Sequence, residues 1–413
     1  MKYEYIIFFL SVKDENDLKA RISNSLFTIN KICNEYKKIF FIDVYSLKLF
    51  TKKNSIRDKI FYDFNLGNHV KFISFSNYLS FIKFLIGKKI VGISFGFGKN
   101  YSDLLINFIM GIFDIQHVQI QNVGNAQVIS DKGTNFLKKF FYFYLRDTLS
   151  RKVTSFLSIL GILQKIQIRF VSNSKTQIFR QNNFLTKVRK KFNLFNVKEF
   201  ILVNSRSYDI INENLFTVEK NYIVVLDEQL NEPQYLRFRN KYSEEDIEKH
   251  YYNFNRYLKK LSEDLKKEVV ITVHPYDDLE YKKKIFKDFN VVKFRTREFI
   301  YKSYLVIFFE SSAIVDALLL NKNITSVKSR IFDTNLSGEV DRFVKQLNLS
   351  YLNIDQPIDK QLNEENLIEL GIIKSEDILK KNYKEFLELY VCRNADTKPG
   401  YKKVIEEINK RYF

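Results

Sequence analysis

The stretch "YLVIFFESSAIVDALLLNKNITSVK", Tyr304 to Lys328, reads as a strand, two serines, a short apolar helix and a second strand. Two β-branched or aromatic runs joined by a helix-sized connection indicate a parallel crossover, because parallel neighbours cannot be linked by a tight turn. The same alternation continues toward the N-terminus, through "VVKF" at 291 to 294, "VVITVHP" at 269 to 275, "YIVVLDE" at 222 to 228 and "FILVNS" from Phe200. An earlier series comprises "YIIFFL" at 5 to 10, "KIFFIDV" at 38 to 44, "KFISF" at 71 to 75, "KIVGISFG" at 89 to 96 and "HVQIQNVG" at 117 to 124. Longer polar or amphipathic stretches separate the runs, which predicts β-α units around mostly parallel sheets.

A chain of 413 residues is longer than one core usually needs, and the two series suggest two domains of similar size. The expected fold class is α/β, with two Rossmann-like domains facing a central cleft. Residues 1–195 are expected to form the first domain, 196–375 the second, and 376–413 a C-terminal helical segment. Polar "KVRKKFNLFNVKE", Lys187 to Glu199, is the expected linker. One helix is marked clearly: Ser243 with Asp246 makes a capping box, and acidic residues fill the first turn, as the helix dipole prefers. Residues 134 to 167 are helical in period but aromatic and basic. Core helices, a surface docking on anionic membrane and a nucleic-acid surface are three readings of them. No nucleic-acid module pattern supports the last, so no nucleic-acid partner is expected.

Lysine and arginine total 67 against 48 acidic residues, a net charge of +19, which suits anionic partners but also fits a general Lys, Asn, Ile and Phe bias. Only Cys33 and Cys392 occur, which argues against a disulfide scaffold and suits a reducing compartment. The N-terminal apolar run is too short to span a bilayer and lacks a cleavage pattern, so it reads as a buried first strand. The expectation is a cytoplasmic protein with peripheral contact to the inner face of the plasma membrane.

Ligands of open parallel sheets bind beyond the carboxyl ends of the strands, so residues there carry the functional weight. His274 ends the run Val269 to Val273, and Pro275 stops the strand from continuing its ladder. An imidazole held there can donate to a phosphate or pass a proton to a leaving group; a polar strand end followed by a turn is the plainer reading. Ser311 and Ser312 precede a short helix, a place suited to phosphate and equally to simple capping. Glu298 lies between them in sequence, where a carboxylate can accept from ribose hydroxyls or merely complement a helix dipole. Asp227 and Glu228, at the end of "YIVVLDE", are candidates for the catalytic base, with Asp131 of "SDKG" a weaker one.

This ordered set, His-Pro after a strand, an acid some twenty residues on and a Ser-Ser pair, resembles the C-terminal nucleotide domain of bacterial sialyltransferases with the GT-B fold. "ESSAIVDALLLNKNI" is also similar to a block in related glycosyltransferases of surface-polysaccharide synthesis. The resemblance covers roughly residues 200 to 330. It implies that His274, beside Pro275, contacts the donor phosphate and serves as general acid, that Ser311 and Ser312 bind that phosphate, and that Glu298 binds the ribose of a CMP-sugar. The chain departs from the pattern in having no Asp/Glu-Asp/Glu-Gly triplet, which leaves the base unassigned.

The expected function is therefore transfer of a sialic acid-type or other CMP-activated acidic sugar to a surface glycan (lipopolysaccharide, lipooligosaccharide or capsule). Partners would be a nucleotide sugar and a glycan acceptor that is lipid-linked in one reading. No cofactor beyond the CMP-sugar co-substrate is expected, and no Asp-x-Asp or His/Cys cluster suggests a metal. The alternatives are a CDP-polyol phosphotransferase of surface-polymer synthesis and a non-catalytic basic protein that binds nucleotide or membrane.

Overall fold

The computed structural model describes residues 3–10, 26–43, 69–73, 75, 77–95, 101–121, 166–172, 197–213, 219–227, 243–275, 277–309, 311–331, 340–341, 343–356, 362–391 and 398–413. The chain forms two compact α/β units, one built around residues 1–209 with the C-terminal helix, the other around 210–391.

In the first unit the strands are β1 (Tyr5–Leu10), β2 (Ile39–Asp43), β3 (Val70–Ile73), β4 (Ile90–Ser94), β5 (Gln116–Gln121), β6 (Ile166–Val171) and β7 (Val197–Leu202). They pair in the order β3-β2-β1-β4-β5-β6-β7, and every pairing is parallel. Both faces are covered. Ile6, Phe8, Ile39, Phe41, Val91, Ile93, Val118 and Ile120 pack on one side; Ile7, Phe9 and Ile90 pack on the other, against helices α1 (Tyr78–Leu85) and α2 (Tyr101–Ile112). Burial on two faces is why these strands are continuous apolar runs and were legible as such.

Two sequence expectations change here. Ile166 and Gln167, read as the end of a helical stretch, belong to β6, while residues 134–165 lie outside the described residues. Val197 to Leu202, read as the linker's end and the start of the second domain, pairs with β6 from Ile166↔Val197 to Val171↔Leu202, so the unit boundary falls at Asp209/Ile210 rather than at 195/196. β7 is the outermost strand and carries exposed Lys198 and Glu199, charges that blunt a sheet edge but also weaken its hydrophobic signal.

The expected C-terminal helical segment also divides. Helix α9 (Glu376–Tyr390) belongs to the second unit; α10 (Gly400–Tyr412) returns to the first, burying Tyr401, Val404, Ile405, Ile408 and Tyr412 in its core. Helix α3 (Arg206–Glu213) supplies the anchor: Asp209, fully buried, accepts from Gly400 N at 2.7 Å and Tyr401 N at 3.0 Å. A carboxylate on the first N–H groups of a helix satisfies donors that have no intrahelical partner and complements the dipole. Arg411 closes the other end with two bonds to Glu199.

The second unit has β8 (Tyr222–Leu226), β9 (Glu268–Val273), β10 (Asn290–Lys293), β11 (Ser303–Phe308), β12 (Asn323–Lys328) and β13 (Ser350–Asn353), all parallel, in the order β10-β9-β8-β11-β12-β13. Helix α4 (Glu244–Leu265) buries Tyr251, Phe254, Leu258 and Leu261, one helical stripe, against Ile223, Val225, Ile271 and Ile307. Its capping box at Ser243 and Asp246 is formed as expected. Helix α5 (Leu279–Ile285) follows β9. The short helices α6 (Thr296–Tyr301) and α7 (Ile314–Leu319) pack against each other, α6 also on β8, β9 and β11, and α7 against α9; α8 (Glu364–Glu369) precedes α9. Lys322, buried before β12, spends its ammonium on the carbonyls of Glu219, Tyr301 and Ser303 at 3.1, 2.7 and 2.8 Å, pinning three chain segments together. Among the described residues, no helix is long and apolar enough to cross a membrane.

Candidate functional site

The strand order fixes where a ligand belongs. From β8 the chain goes to β9 and β10 on one side, then crosses to β11, β12 and β13 on the other. Connections therefore diverge at the carboxyl ends of β8 and β11, which leaves a crevice there. Asp227 follows β8, and Ser311 and Ser312 lie just past β11; His274 follows β9, the neighbour of β8.

His274 stands exposed at its strand end. Its carbonyl accepts from Asp277 N at 2.9 Å, closing a turn that Lys293 holds from β10 by donating to the Asp277 carbonyl at 2.8 Å. Lost hydration around the ring lowers its pKa below 6.5; Asp277 opposes the shift and Lys293 adds to it. The imidazole is thus mainly neutral at pH 7 and carries one N–H donor and one acceptor nitrogen. Pro275 is half-buried and continues the chain away from the ladder.

Asp227 occupies a different environment from the one its sequence position suggests. Its backbone N–H bonds to Thr272 O at 3.1 Å, and its carboxylate is buried with Lys282 Nζ 2.5 Å away. Lys282 also reaches the Tyr251 hydroxyl at 3.1 Å and stands 3.9 Å from Asp277. Burial alone would lower the pKa of that ammonium, but Asp227, Tyr251 and Asp277 outweigh it and the net shift is upward. A carboxylate held this tightly by a buried cation is a poor proton acceptor, so Asp227 reads as an anchor rather than a free base. Glu228 and Asp131 lie outside the described residues.

Ser311 accepts from Ala313 N at 3.3 Å and Ser312 is exposed; their carbonyls take Ile314 N and Val315 N as the chain turns into α7. The helix begins at Ile314 after Ala313, so the serines form the turn before it instead of capping it with their side chains. Arg297 from α6 bonds Asp316 in the first turn of α7 at 2.9 Å, fixing that turn against its neighbour.

Glu298 is set apart from this group. Its two oxygens are taken by Arg295 at 2.8 and 2.7 Å, with Lys302 3.8 Å away. The Lys302 carbonyl receives Asn221 N and Tyr222 N where β8 begins, and Phe299 packs on Tyr222 with ring centroids 5.3 Å apart. These neighbours gather at the amino end of β8, a strand's length of about 16 Å from Asp227. The strand order puts His274, Asp227 and the serine turn along one edge, while the Glu298 carboxylate is engaged by Arg295 on α6. Thr296 does not cap α6; the preceding residue is Arg295, and no side chain bonds that end.

Lys282 is the residue that sequence reading missed. Within "YKKKIF", Tyr281 to Phe286, three lysines look like a solvated run, yet Leu279, Lys282 and Phe286 recur at helical spacing and share the inward face. His250, within α4, is buried with Nδ1 2.9 Å from Ser329 Oγ, a tether between α4 and the end of β12. In the first unit His117 is buried 2.8 Å from Ser94 Oγ, and burial, aided by Arg169, pushes its pKa down to about 3. It is a neutral hydrogen-bonding group at any physiological pH. Residues 96–100 and 122–127, which follow β4 and β5 closely in sequence, lie outside the described residues. Among the described residues no group of three or more His, Cys, Asp or Glu side chains is placed to hold a metal ion. A cavity of about 470 Å³ opens among Lys259, Glu263, Glu268, Asp288 and Asn290, at the amino ends of β9 and β10, away from His274.

Two parallel-sheet α/β units in one chain are the architecture of the GT-B fold, and solved structures agree. A Phytolacca americana glycosyltransferase, UGT2, complexed with UDP-2fluoro-glucose and pterostilbene, is similar at TM-score 0.52 and 8% identity, covering 100% of both chains. A putative UDP-N-acetylglucosamine 2-epimerase from Listeria monocytogenes is similar at TM-score 0.51 and 9% identity over 99% of this chain and 97% of that one. The wall teichoic acid polymerase TagF, soaked with CDPG, is similar at TM-score 0.50 and 12% identity over 98% of this chain and 88% of that one. No protein-family model and no curated protein sequence matches the chain. Identities this low establish the fold, and transferases and an epimerase share it.

Proposed function

We propose that the protein is a glycosyltransferase that binds a nucleotide-activated sugar at the carboxyl edge of the second sheet, with CMP-linked acidic sugars of the sialic acid type as donors and a surface glycan as acceptor. The observation that carries the reading is the placement of His274 after β9 and of the Ser311–Ser312 turn after β11, the two strands that flank β8, at the carboxyl edge where the connections diverge. A neutral imidazole N–H and two hydroxyl-bearing residues supply donors where a phosphate develops charge on departure. In the proposed step the acceptor oxygen bonds the anomeric carbon, the bond from that carbon to the phosphate oxygen breaks, CMP leaves with its phosphate, and the acceptor proton passes to a base. Asp227, paired with Lys282, is not assigned as that base. Glu298 is not assigned to the ribose.

A second reading, transfer of a polyol phosphate from a CDP-linked donor, is favoured by the similarity to a wall teichoic acid polymerase over 98% of this chain. The two separate by product. Phosphotransfer forms an acceptor oxygen–phosphorus bond and breaks the pyrophosphate bridge, so the acceptor gains a phosphodiester visible by ³¹P NMR; sugar transfer leaves the acceptor free of phosphorus. The purified chain is incubated with CMP-sialic acid, CDP-glycerol or UDP-sugars and a glycan acceptor. Donor-dependent release of CMP from CMP-sialic acid, abolished by His274→Gln, supports the first reading, and turnover of CDP-glycerol alone replaces it with the second. Binding of none of the nucleotides would remove both.

A further inference from the structure

We propose that Lys282 is the positioning residue of this site: its buried ammonium gathers Asp227 and Asp277, tying the end of β8 to the turn after β9 and so fixing where the His274 ring stands. The inference rests on the reading of His274 as the group that meets the leaving phosphate. Three separate elements converge on one atom. Asp227 comes from β8 at 2.5 Å, Tyr251 from α4 at 3.1 Å and Asp277 from the His274 turn at 3.9 Å. The side chains of Lys282 and Asp227 are 1% and 2% exposed, so water does not substitute for either partner.

Asp277 couples this centre to the imidazole. Its N–H bonds the His274 carbonyl at 2.9 Å and its own carbonyl is held by Lys293 at 2.8 Å, so the turn is braced from β10 and from α5 at once. Among the described residues, the charged groups facing His274 include Asp277 from its own turn and Lys293 from β10; those facing Lys282 include Asp227 and Asp277, with the Tyr251 hydroxyl beside them. Removing the ammonium takes a positive charge from beside both carboxylates, and a carboxylate beside an imidazole favours its protonated form.

Tying β8 to the turn matters because a donor group displaced by about 1 Å loses on the order of 100-fold in rate. A plain buried ion pair would stabilise the unit without acting on His274, and that is the reading to be excluded. The experiment follows the four histidine rings of the full ¹⁵N-labelled chain by NMR titration, with His274→Gln assigning its signal. In Lys282→Met the His274 midpoint should rise by about half a unit or more, while Lys282→Arg stays near the parent. Turnover of the donor should fall about 10- to 100-fold in kcat with KM little changed.

Lys282→Met removes the cation beside the buried Asp227 carboxylate, so Asp227→Asn with Lys282→Met, which removes both charges, serves if the single variant does not fold. In that double variant kcat should still fall and the His274 ring ¹⁵N shifts should depart from the parent's. Asp277→Asn should lower the His274 midpoint. A folded Lys282 variant, single or double, with the parent's titration, ring shifts and kcat overturns the proposal, as does an unmoved midpoint in Asp277→Asn. If the parent turns over no donor, the functional reading fails, and the ring titration alone still decides whether Lys282 positions His274.

Discussion

Gly400→Ala tests whether the C-terminal helix is an integral part of the first unit. Helix propensity alone argues for stabilisation, by up to about 1 kcal/mol. The surroundings argue otherwise: an added Cβ would stand 2.3 Å from the Asn204 carbonyl oxygen, and real Cβ atoms do not approach closer than 3.0 Å, so the helix start must shift by roughly 0.7 Å. That shift stretches the bonds from Gly400 N and Tyr401 N to Asp209, now 2.7 and 3.0 Å, to about 3.4 and 3.7 Å, at or past the limit of a useful hydrogen bond. Hydrogen bonds to a charged acceptor contribute about 1.5–3 kcal/mol each, so after the propensity gain the expected net loss is about 2–5 kcal/mol.

For a unit of this size such a loss lowers the midpoint of thermal unfolding by roughly 10 °C. The chain has no tryptophan, so far-UV circular dichroism follows the melt, and hydrogen exchange of the 398–413 peptide shows whether α10 detaches first. Asp209→Asn keeps the space but weakens the acceptor and should fall between parent and Gly400→Ala. A Gly400→Ala protein that melts at or above the parent's temperature would refute the close approach and, with it, the docking of α10 on α3.

Three other outcomes follow from the site and its supports. Because lost hydration around its ring holds the His274 pKa below 6.5, protonation of the ring should strengthen CMP binding as pH falls from 7.5 through that pKa, and calorimetry with His274→Gln should retain only the pH dependence of the CMP phosphate itself. Glu298→Gln should change nucleotide affinity less than about twofold, since its carboxylate is engaged with Arg295 near the amino edge; a tenfold loss in the same titration would restore the ribose role. Lys322, lowered to about 8 by burial and by Lys220, sheds its proton in the folded state before the unfolded state does at 10.5. Between those values the unfolded chain binds more protons, so parental stability should rise with pH relative to Lys322→Met, as read by urea denaturation at pH 7.5 and 10; a constant difference contradicts the shift.

The strands of both sheets were legible wherever burial on two faces forces a continuous apolar run, as in Tyr5–Leu10, Ile223–Leu226 and Val269–Val273. β6 and β7 were not. "IQIRFV" interleaves polar residues and "VKEFIL" is an edge, so each resembles its neighbouring helix or linker more than a core strand. The return of α10 to the first unit had no local signal, because Asp209 and Gly400 lie 191 residues apart and only tertiary contact joins them.

The site shows the same division between local and nonlocal information. His274 at a strand end was readable because proline cannot extend a ladder, a rule confined to two adjacent residues. Which strand ends stand together depends on β8 lying between β9 and β11, and no spacing along the chain encodes that order. Glu298 illustrates the consequence. It sits between His274 and Ser311 in sequence, yet its spacing gave no sign that Arg295 would take both carboxylate oxygens on α6. Lys282 is the converse: it lies eight residues from His274 in a run of lysines that composition assigns to solvent. Its position on the face shared by Leu279 and Phe286 places its ammonium inside the protein, where Asp227 and Asp277 must accompany it. A charge buried at that spacing is costly unless paired, so the lysine on an apolar stripe, more than the isolated carboxylate at a strand end, is the sequence feature from which the anchored turn of His274 follows.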